Sequence, residues 1–169
     1  MGVTIHFEGR VQDEAAYLAL LDTATAFANR HHWPVQPLDL KAATLLRVRD
    51  EQDWDYSGPV KGVIIHPHED CDTVRLEFDR DLYIQEFTKT QFAGAQIHLQ
   101  VLELLRALEP FFTELAIEDE GEYWETKDLQ LLESHIEYSQ SAIDAELRKD
   151  PAARVKVRTP GGKIMDLYR

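Results

Sequence analysis

One histidine, His98, lies beside the most regular apolar pattern of the chain, and a group of acids follows the next predicted strand. Apolar residues recur at three- and four-residue spacings over 95–112, which predicts a helix with His98 at the margin of its buried stripe or inside it. The acids that follow are Asp119, Glu120, Glu122 and Glu125. A carboxylate beside an imidazole orients the ring and raises its pKa, as both acid-base catalysis and metal ligation require.

These residues predict one candidate catalytic group, composed of His98, Glu120 and Glu125. The alternative is a core histidine that hydrogen-bonds a backbone carbonyl or one acid and joins the helix to the sheet. A solvent-exposed His98 ring with an ordinary pKa would argue against the catalytic group.

Four further residues flank this helix and could contact a ligand. Lys89 and Gln91 precede the helix N-terminus, where free backbone N–H groups favour anions. Tyr123 and Trp124 follow the next strand and could stack on a ligand or anchor a partner. The structural alternatives are helix capping for the first pair and closure of the core for the second.

No cofactor is predicted, although a divalent metal is a minor possibility. The segment from His66 to Asp72 contains two histidines and Cys71, which are zinc or nickel ligands, but Pro67 and the flanking acids indicate a loop between strands. The sequence has no P-loop, dinucleotide fingerprint, nucleophile elbow, calcium loop or H-E-x-x-H motif.

The charge balance bears on partners and location. The 169 residues include 31 acids and 18 bases, for a net charge of −13, which disfavours direct binding to nucleic acid. There is no apolar run long enough for a membrane span and no secretory signal, and the single Cys71 fits a reducing compartment, so we expect a cytoplasmic protein. Residues 148–169 carry a net charge of +5 and could dock on the acidic body of the same chain or of a neighbouring subunit in a homo-oligomer; the alternative is a frayed, solvated terminus.

The order of predicted elements indicates the fold class. Strands are expected near 3–7, 44–48, 60–65, 74–78, 82–87 and 115–117, with helices after Asp13, at 95–112 and after Thr126 or Asp128. This order predicts an α+β fold, with a largely antiparallel sheet of five to six strands and two to three helices mainly on one face. Residues 1–150 would form a single domain, and 151–169 a basic tail or small hairpin.

Three segments resemble a group of small uncharacterised bacterial proteins. They are T-K-T-Q-F-A-G with the helical histidine, D-E-G-E-Y-W-E-T, and V-T-I-H-F-E-G-R before the first helix. The resemblance runs from Val3 to about Leu132 and excludes the basic tail. It implies that Lys89, Gln91, His98, Glu120, Tyr123, Trp124 and Glu125 are the family-like positions, and it implies no activity.

Together these observations favour a cytosolic bacterial binding module for a protein or small ligand, with its surface between the 95–112 helix and the D-E-G-E-Y-W-E segment. Whether the protein is an enzyme stays open. A second hypothesis is a hydrolase-like enzyme, metal-dependent or acid-base, that uses His98 and nearby glutamates. A third is an acidic mimic of nucleic acid that inhibits a basic partner.

Overall fold

The computed structural model describes residues 2–158 and 163–168. The strands are β1 (Thr4–Val11), β2 (Val35–Leu45), β3 (Val48–Arg49), β4 (Gln52–Asp53), β5 (Tyr56–Ile65), β6 (Val74–Phe78), β7 (Tyr83–Lys89), β8 (Phe112–Asp119), β9 (Arg154–Arg158) and β10 (Ile164–Tyr168). The helices are α1 (Glu14–Arg30), α2 (Ala95–Leu108), α3 (Tyr123–Thr126) and α4 (Leu129–Lys149), and a 3₁₀ turn spans Glu109–Phe111.

The helix ends follow local chemistry. Asp13 caps α1 by accepting a hydrogen bond from Ala16 N at 2.8 Å, and Asp128 caps α4 through Leu131 N at 3.1 Å. Helix α2 ends at Leu108 rather than at 112, because Pro110 cannot continue the helical hydrogen bonds and the chain tightens into the 3₁₀ turn. None of the described helices is long and apolar enough to cross a membrane.

The predicted α+β class is confirmed, and six of the strands are divided between two three-stranded antiparallel sheets. Strand β1 lies between β7 and β8 in one sheet, and β5 lies between β2 and β6 in the other. The short β3 and β4 pair with each other, as do β9 and β10.

The division occurs between β6 and β7, which are consecutive strands. Backbone hydrogen bonds join their two ends, from Asp79 N to Tyr83 O and from Asp72 N to Lys89 O, both at 3.0 Å. No ladder joins β6 to β7 in the described part of the chain, and Glu77 and Glu86 lie along this interruption. The break between the two sheets therefore lies beside these acids.

The main core lies on the face of the sheets that α1 and α2 cover. Leu20 and Phe27 of α1 and Leu104 and Leu108 of α2 pack in one cluster with Phe7, Ile84 and Leu76 from the strands. A smaller cluster joins Val3 to Leu132 and Ile136 of α4. Side chains of β1, β7 and β8 that point to the opposite face line an open cleft.

Candidate functional site

The His98 ring is fully buried between α2 and the strands. Its Nδ1 lies 2.7 Å from Thr90 Oγ1, and its Nε2 lies 3.0 Å from Asp119 Oδ1 without the alignment of a hydrogen bond. Both the His98 and the Asp119 side chains have 0% of their surface exposed. The arrangement is therefore a sealed contact between helix and sheet, in which an acid holds the imidazole.

Asp119 has its carboxylate oxygens satisfied from within the chain. Oδ1 accepts a hydrogen bond from Gly121 N at 2.7 Å, and Oδ2 accepts one from Trp124 N at 2.9 Å. Burial alone would raise the pKa of Asp119, but His98 and these two N–H groups together lower it below its ordinary 3.8. The carboxylate thus stabilises the turn that follows β8.

The Gly121 backbone closes the remaining approach to the ring. A Cβ placed on Gly121 would lie 3.2 Å from His98 Cε1 and 2.6 Å from Leu132 Cδ1. A substrate or water therefore has no room on this side of the imidazole.

The two glutamates predicted to act with His98 lie elsewhere. Glu120 Oε2 accepts a hydrogen bond from Thr4 N at 2.9 Å, and its Oε1 lies 3.6 Å from His6 Nε2. Glu125 is exposed on α3, and Glu122 contacts His135 at 2.6 Å. The structure thus brings Asp119 to His98, and it does not assemble His98, Glu120 and Glu125 into one site.

The predicted ligand-binding residues near the start of α2 have internal contacts. Gln91 is fully buried, and its Oε1 accepts a hydrogen bond from Val3 N at 2.7 Å, which holds the start of β1 against the α2 region. Lys89 is half-buried, and its backbone N–H donates to Asp72 Oδ2 at 3.0 Å. The geometry gives Gln91 a structural contact and leaves ligand binding at both positions a prediction.

Tyr123 and Trp124 are half-buried and pack against the core. The Trp124 ring also has cations over it, with Arg106 Cζ at 4.2 Å and Lys127 Nζ at 5.1 Å from its centroid. Contacts within the chain thus occupy part of the Tyr123 and Trp124 side chains, which belong to the surface on which the binding module was expected to meet its ligand.

The histidine-rich segment before β6 forms a turn. His68 Nδ1 accepts a hydrogen bond from Asp70 N at 3.0 Å, and Cys71 is buried with 1% exposed. Among residues 2–158 and 163–168, no group of three or more His, Cys, Asp or Glu side chains is arranged to hold a metal ion.

The prominent concavity of the structure is the cleft on the helix-free side, with a volume of about 700 Å³. Strands β1, β7 and β8 form its floor, and the segment after β2 forms a wall. Its apolar lining consists of Phe7, Leu45, Leu46, Val48, Phe87, Ala116 and Ile117. Leu46, Val48 and Phe87 have 81%, 55% and 40% of their surface exposed, so apolar area is available to a ligand.

The cleft also contains four glutamates, Glu8, Glu77, Glu86 and Glu118. Glu8 Oε2 accepts hydrogen bonds from Tyr83 Oη and Gln85 Nε2, both at 2.7 Å, and Glu77 pairs with Arg75. Burial raises the pKa of Glu86 above its ordinary 4.5; Lys163 opposes this shift and Glu77 adds to it. The lining therefore combines apolar surface with net negative charge.

Lys163 of the C-terminal segment lies among these acids. Lys163 Nζ is 3.1 Å from Glu86 Oε2, donates to Phe87 O, and lies 4.0 Å from the centroid of the Phe87 ring. A carboxylate, a carbonyl oxygen and an aromatic face are the groups that bind an ammonium ion. The cleft thus holds one ammonium group of the chain itself.

The wall of the cleft is fixed by Arg47, which lies between Leu46 and Val48. Its buried guanidinium donates to Asp79 Oδ2 at 2.7 Å and to Tyr83 O at 3.1 Å, and stacks near Trp54, Tyr56 and Tyr83. Gln85 exchanges two hydrogen bonds with the Val48 backbone, each at 2.9 Å. Because the Arg47 side chain is buried, the side chains of its two neighbours, Leu46 and Val48, lie on the opposite side of the backbone, where they line the cleft.

Sequence reasoning did not identify this cleft, although part of its signal is visible. Phe87 alternates with buried positions on β7, so an exposed aromatic side chain was predictable from strand period. The meeting of Glu77 with Glu86 depends on how β6 and β7 lie side by side without a ladder, which no local pattern indicates.

Comparisons with known proteins add no constraint to this geometry. No family model, no curated protein and no solved structure matches the chain.

Proposed function

We propose that this protein is a binding module whose ligand carries a primary ammonium group on an apolar body and lies in the cleft on the helix-free face. The observation that supports this is the position of Lys163, whose ammonium contacts the Glu86 carboxylate, the Phe87 carbonyl and the Phe87 ring. The Lys163 side chain of the chain itself indicates which chemical group fits this part of the cleft.

The rest of the lining fits the same class of ligand. Glu8, Glu77 and Glu118 place further carboxylates in the lining beside Glu86, and the cleft is larger than a lysine side chain. Leu46 and Val48 offer apolar surface that an uncharged part of the ligand would remove from water. An acidic, partly apolar cleft favours a cation over an anion and an amphipathic cation over a small ion.

The geometry favours this site over the surface near α2 and over hydrolysis that uses His98. At the α2 surface the Asp119 carboxylate is satisfied by backbone N–H groups, and Arg106 covers the Trp124 ring. An acid-base mechanism needs an imidazole that reaches substrate. The His98 ring has no exposed surface from which to do so.

The proposal is tested by titrating the full-length protein into monodansylcadaverine, a fluorescent probe that joins a primary amine to an apolar ring system. We expect saturable binding, and we expect the N-acetylated probe to bind about tenfold more weakly because it loses a charge-assisted contact. Equal affinities for the two probes, or no binding of either, would overturn the proposal.

A pair of matched variants locates the binding site. Leu46→Asn changes an exposed leucine in the cleft, whereas Leu18→Asn changes one on α1 that is 55% exposed and lies outside the cleft. We expect Leu46→Asn to weaken binding by about threefold to tenfold, from the loss of buried apolar area. Leu18→Asn should leave the affinity unchanged, and an equal effect of the two substitutions would contradict a site in the cleft.

A further inference from the structure

Two consecutive residues of the C-terminal segment contact the rest of the chain: Lys163 lines the cleft, and Ile164, the first residue of β10, contacts Asp72. Lys163 occupies the ammonium subsite formed by Glu86 and Phe87. Ile164 has 5% of its surface exposed, and its backbone N–H donates to Asp72 Oδ1. The segment therefore makes a charged, a backbone and an apolar contact within two residues.

Asp72 is built into the fold so that it can accept this backbone N–H. It is fully buried, its backbone N–H donates to Lys89 O at 3.0 Å, and its Oδ2 accepts from Lys89 N at 3.0 Å. These bonds fix the carboxylate at the end of β7, where Oδ1 is directed to Ile164 N. A fixed backbone acceptor beside an ammonium subsite is the arrangement with which proteins recognise extended peptides.

The distribution of charge also favours the C-terminal segment as the group that occupies the cleft. Residues 148–169 carry a net charge of +5 in a chain whose total is −13, and the cleft is lined by four glutamates and one lysine. An acidic cleft and a basic segment of the same chain are electrostatically complementary, and the tether keeps the segment at high local concentration.

We propose that Lys163 and Ile164 act as a tethered pseudo-ligand, and that the cleft's external partner is an extended peptide with a lysine followed by an aliphatic residue. This proposal rests on the function proposed above and adds a partner class and its regulation. The partner gains access by displacing the C-terminal segment from Glu86, Phe87 and Asp72. Removing the Lys163 ammonium therefore exposes the site.

The test uses full-length protein and a fluorescent, capped peptide with the sequence of residues 161–166, Gly-Gly-Lys-Ile-Met-Asp. Fluorescence anisotropy compares the unsubstituted protein with Lys163→Gln and with Lys149→Gln, which removes an exposed charge outside the cleft. If the segment occupies the subsite for about nine-tenths of the time, Lys163→Gln binds the peptide about tenfold more tightly. Lys149→Gln binds as the unsubstituted protein does.

A second measurement needs no variant. The Ile164 amide loses its bond to Asp72 when the segment is displaced, so its hydrogen exchange accelerates when the peptide is added to the unsubstituted protein. Tighter binding by Lys163→Gln without faster exchange at Ile164 would mean a change of local charge, and would overturn displacement.

The remaining outcomes separate this inference from the proposed function. The proposal of a tethered pseudo-ligand is wrong if the protein binds monodansylcadaverine but not the peptide, or if Lys163→Gln binds the peptide no more tightly. In either case the proposed binding of an ammonium ligand in the cleft is retained. If neither probe binds, both proposals are wrong.

Discussion

At the scale of single residues, the contact of Asp119 with His98 holds β8 to α2. Asp119→Asn removes the charge and replaces one acceptor oxygen with an amide donor, although Gly121 N and Trp124 N both donate to this side chain. We expect the free energy of unfolding to fall by about 3 kcal/mol, because a buried carboxylate that accepts two backbone N–H groups is lost and a buried donor is left unsatisfied. Urea unfolding measures this loss, and exposed Glu125→Gln serves as the control that leaves the midpoint unchanged.

The same residue predicts a pH dependence. The pKa of Asp119 lies below 3.8 in the folded protein and returns to its ordinary value on unfolding. Its contribution to stability is therefore complete above pH 3.8 and is lost as the pH falls through the folded pKa. In acid unfolding curves, the difference in stability between the unsubstituted protein and Asp119→Asn should shrink below pH 3.8. A difference that stays constant into strong acid would contradict this assignment.

The identity of the acid that meets His98 follows from strand register. Asp119 pairs with Ile5, whose side chain is in the core, so alternation turns Asp119 inward and turns Glu118 and Glu120 away. The sequence predicted an imidazole beside acids, but β8 was expected to end at 117. Had the predicted strand been extended by two residues, the same alternation would have identified Asp119 as the acid that faces His98.

At the scale of elements, the strand predicted near 44–48 is replaced by the long β2 and the short β3 and β4, and the segment from the end of β2 to Val48 forms the cleft wall. Gln85 joins this wall to the floor through the Val48 backbone and Glu8. We expect Gln85→Ala to weaken monodansylcadaverine binding severalfold, because Val48 loses both hydrogen bonds. Fluorescence titration measures the affinity. The matched control is Gln130→Ala, which changes an exposed glutamine of α4. Equal affinities would show that the wall does not depend on Gln85.

Helices with clear caps or apolar stripes could be predicted from the sequence, whereas the wall of the cleft could not. The caps Asp13 and Asp128 and the apolar stripe of α2 indicated their helices directly. In β2, by contrast, Pro37 and mostly exposed residues conceal the strand, which is held by pairing with β5 across a break in register after Leu40. The cleft required tertiary contacts such as Arg47 with Asp79 that sequence spacing does not indicate.

At the scale of the whole molecule, the net charge of −13 attracts cations, but we expect local placement to decide affinity. Glu118→Gln and Glu133→Gln change the total charge equally, and only Glu118 lines the cleft. Glu118→Gln should weaken monodansylcadaverine binding by about twofold to fivefold at low salt, because an exposed charge contributes modestly. Glu133→Gln should not, and higher salt should reduce the difference between the two variants. Equal effects would indicate nonspecific attraction.

The position of the binding surface is tested most directly by amide chemical shifts of ¹⁵N-labelled full-length protein during titration with monodansylcadaverine. The account predicts that the Phe87, Ala116 and Ile117 resonances, which report on the cleft, shift with saturable dependence on probe concentration. The resonances of Tyr123, Trp124 and Glu125 should stay in place. Shifts at these three residues with none in the cleft would contradict the account and return the binding surface to the face beside α2.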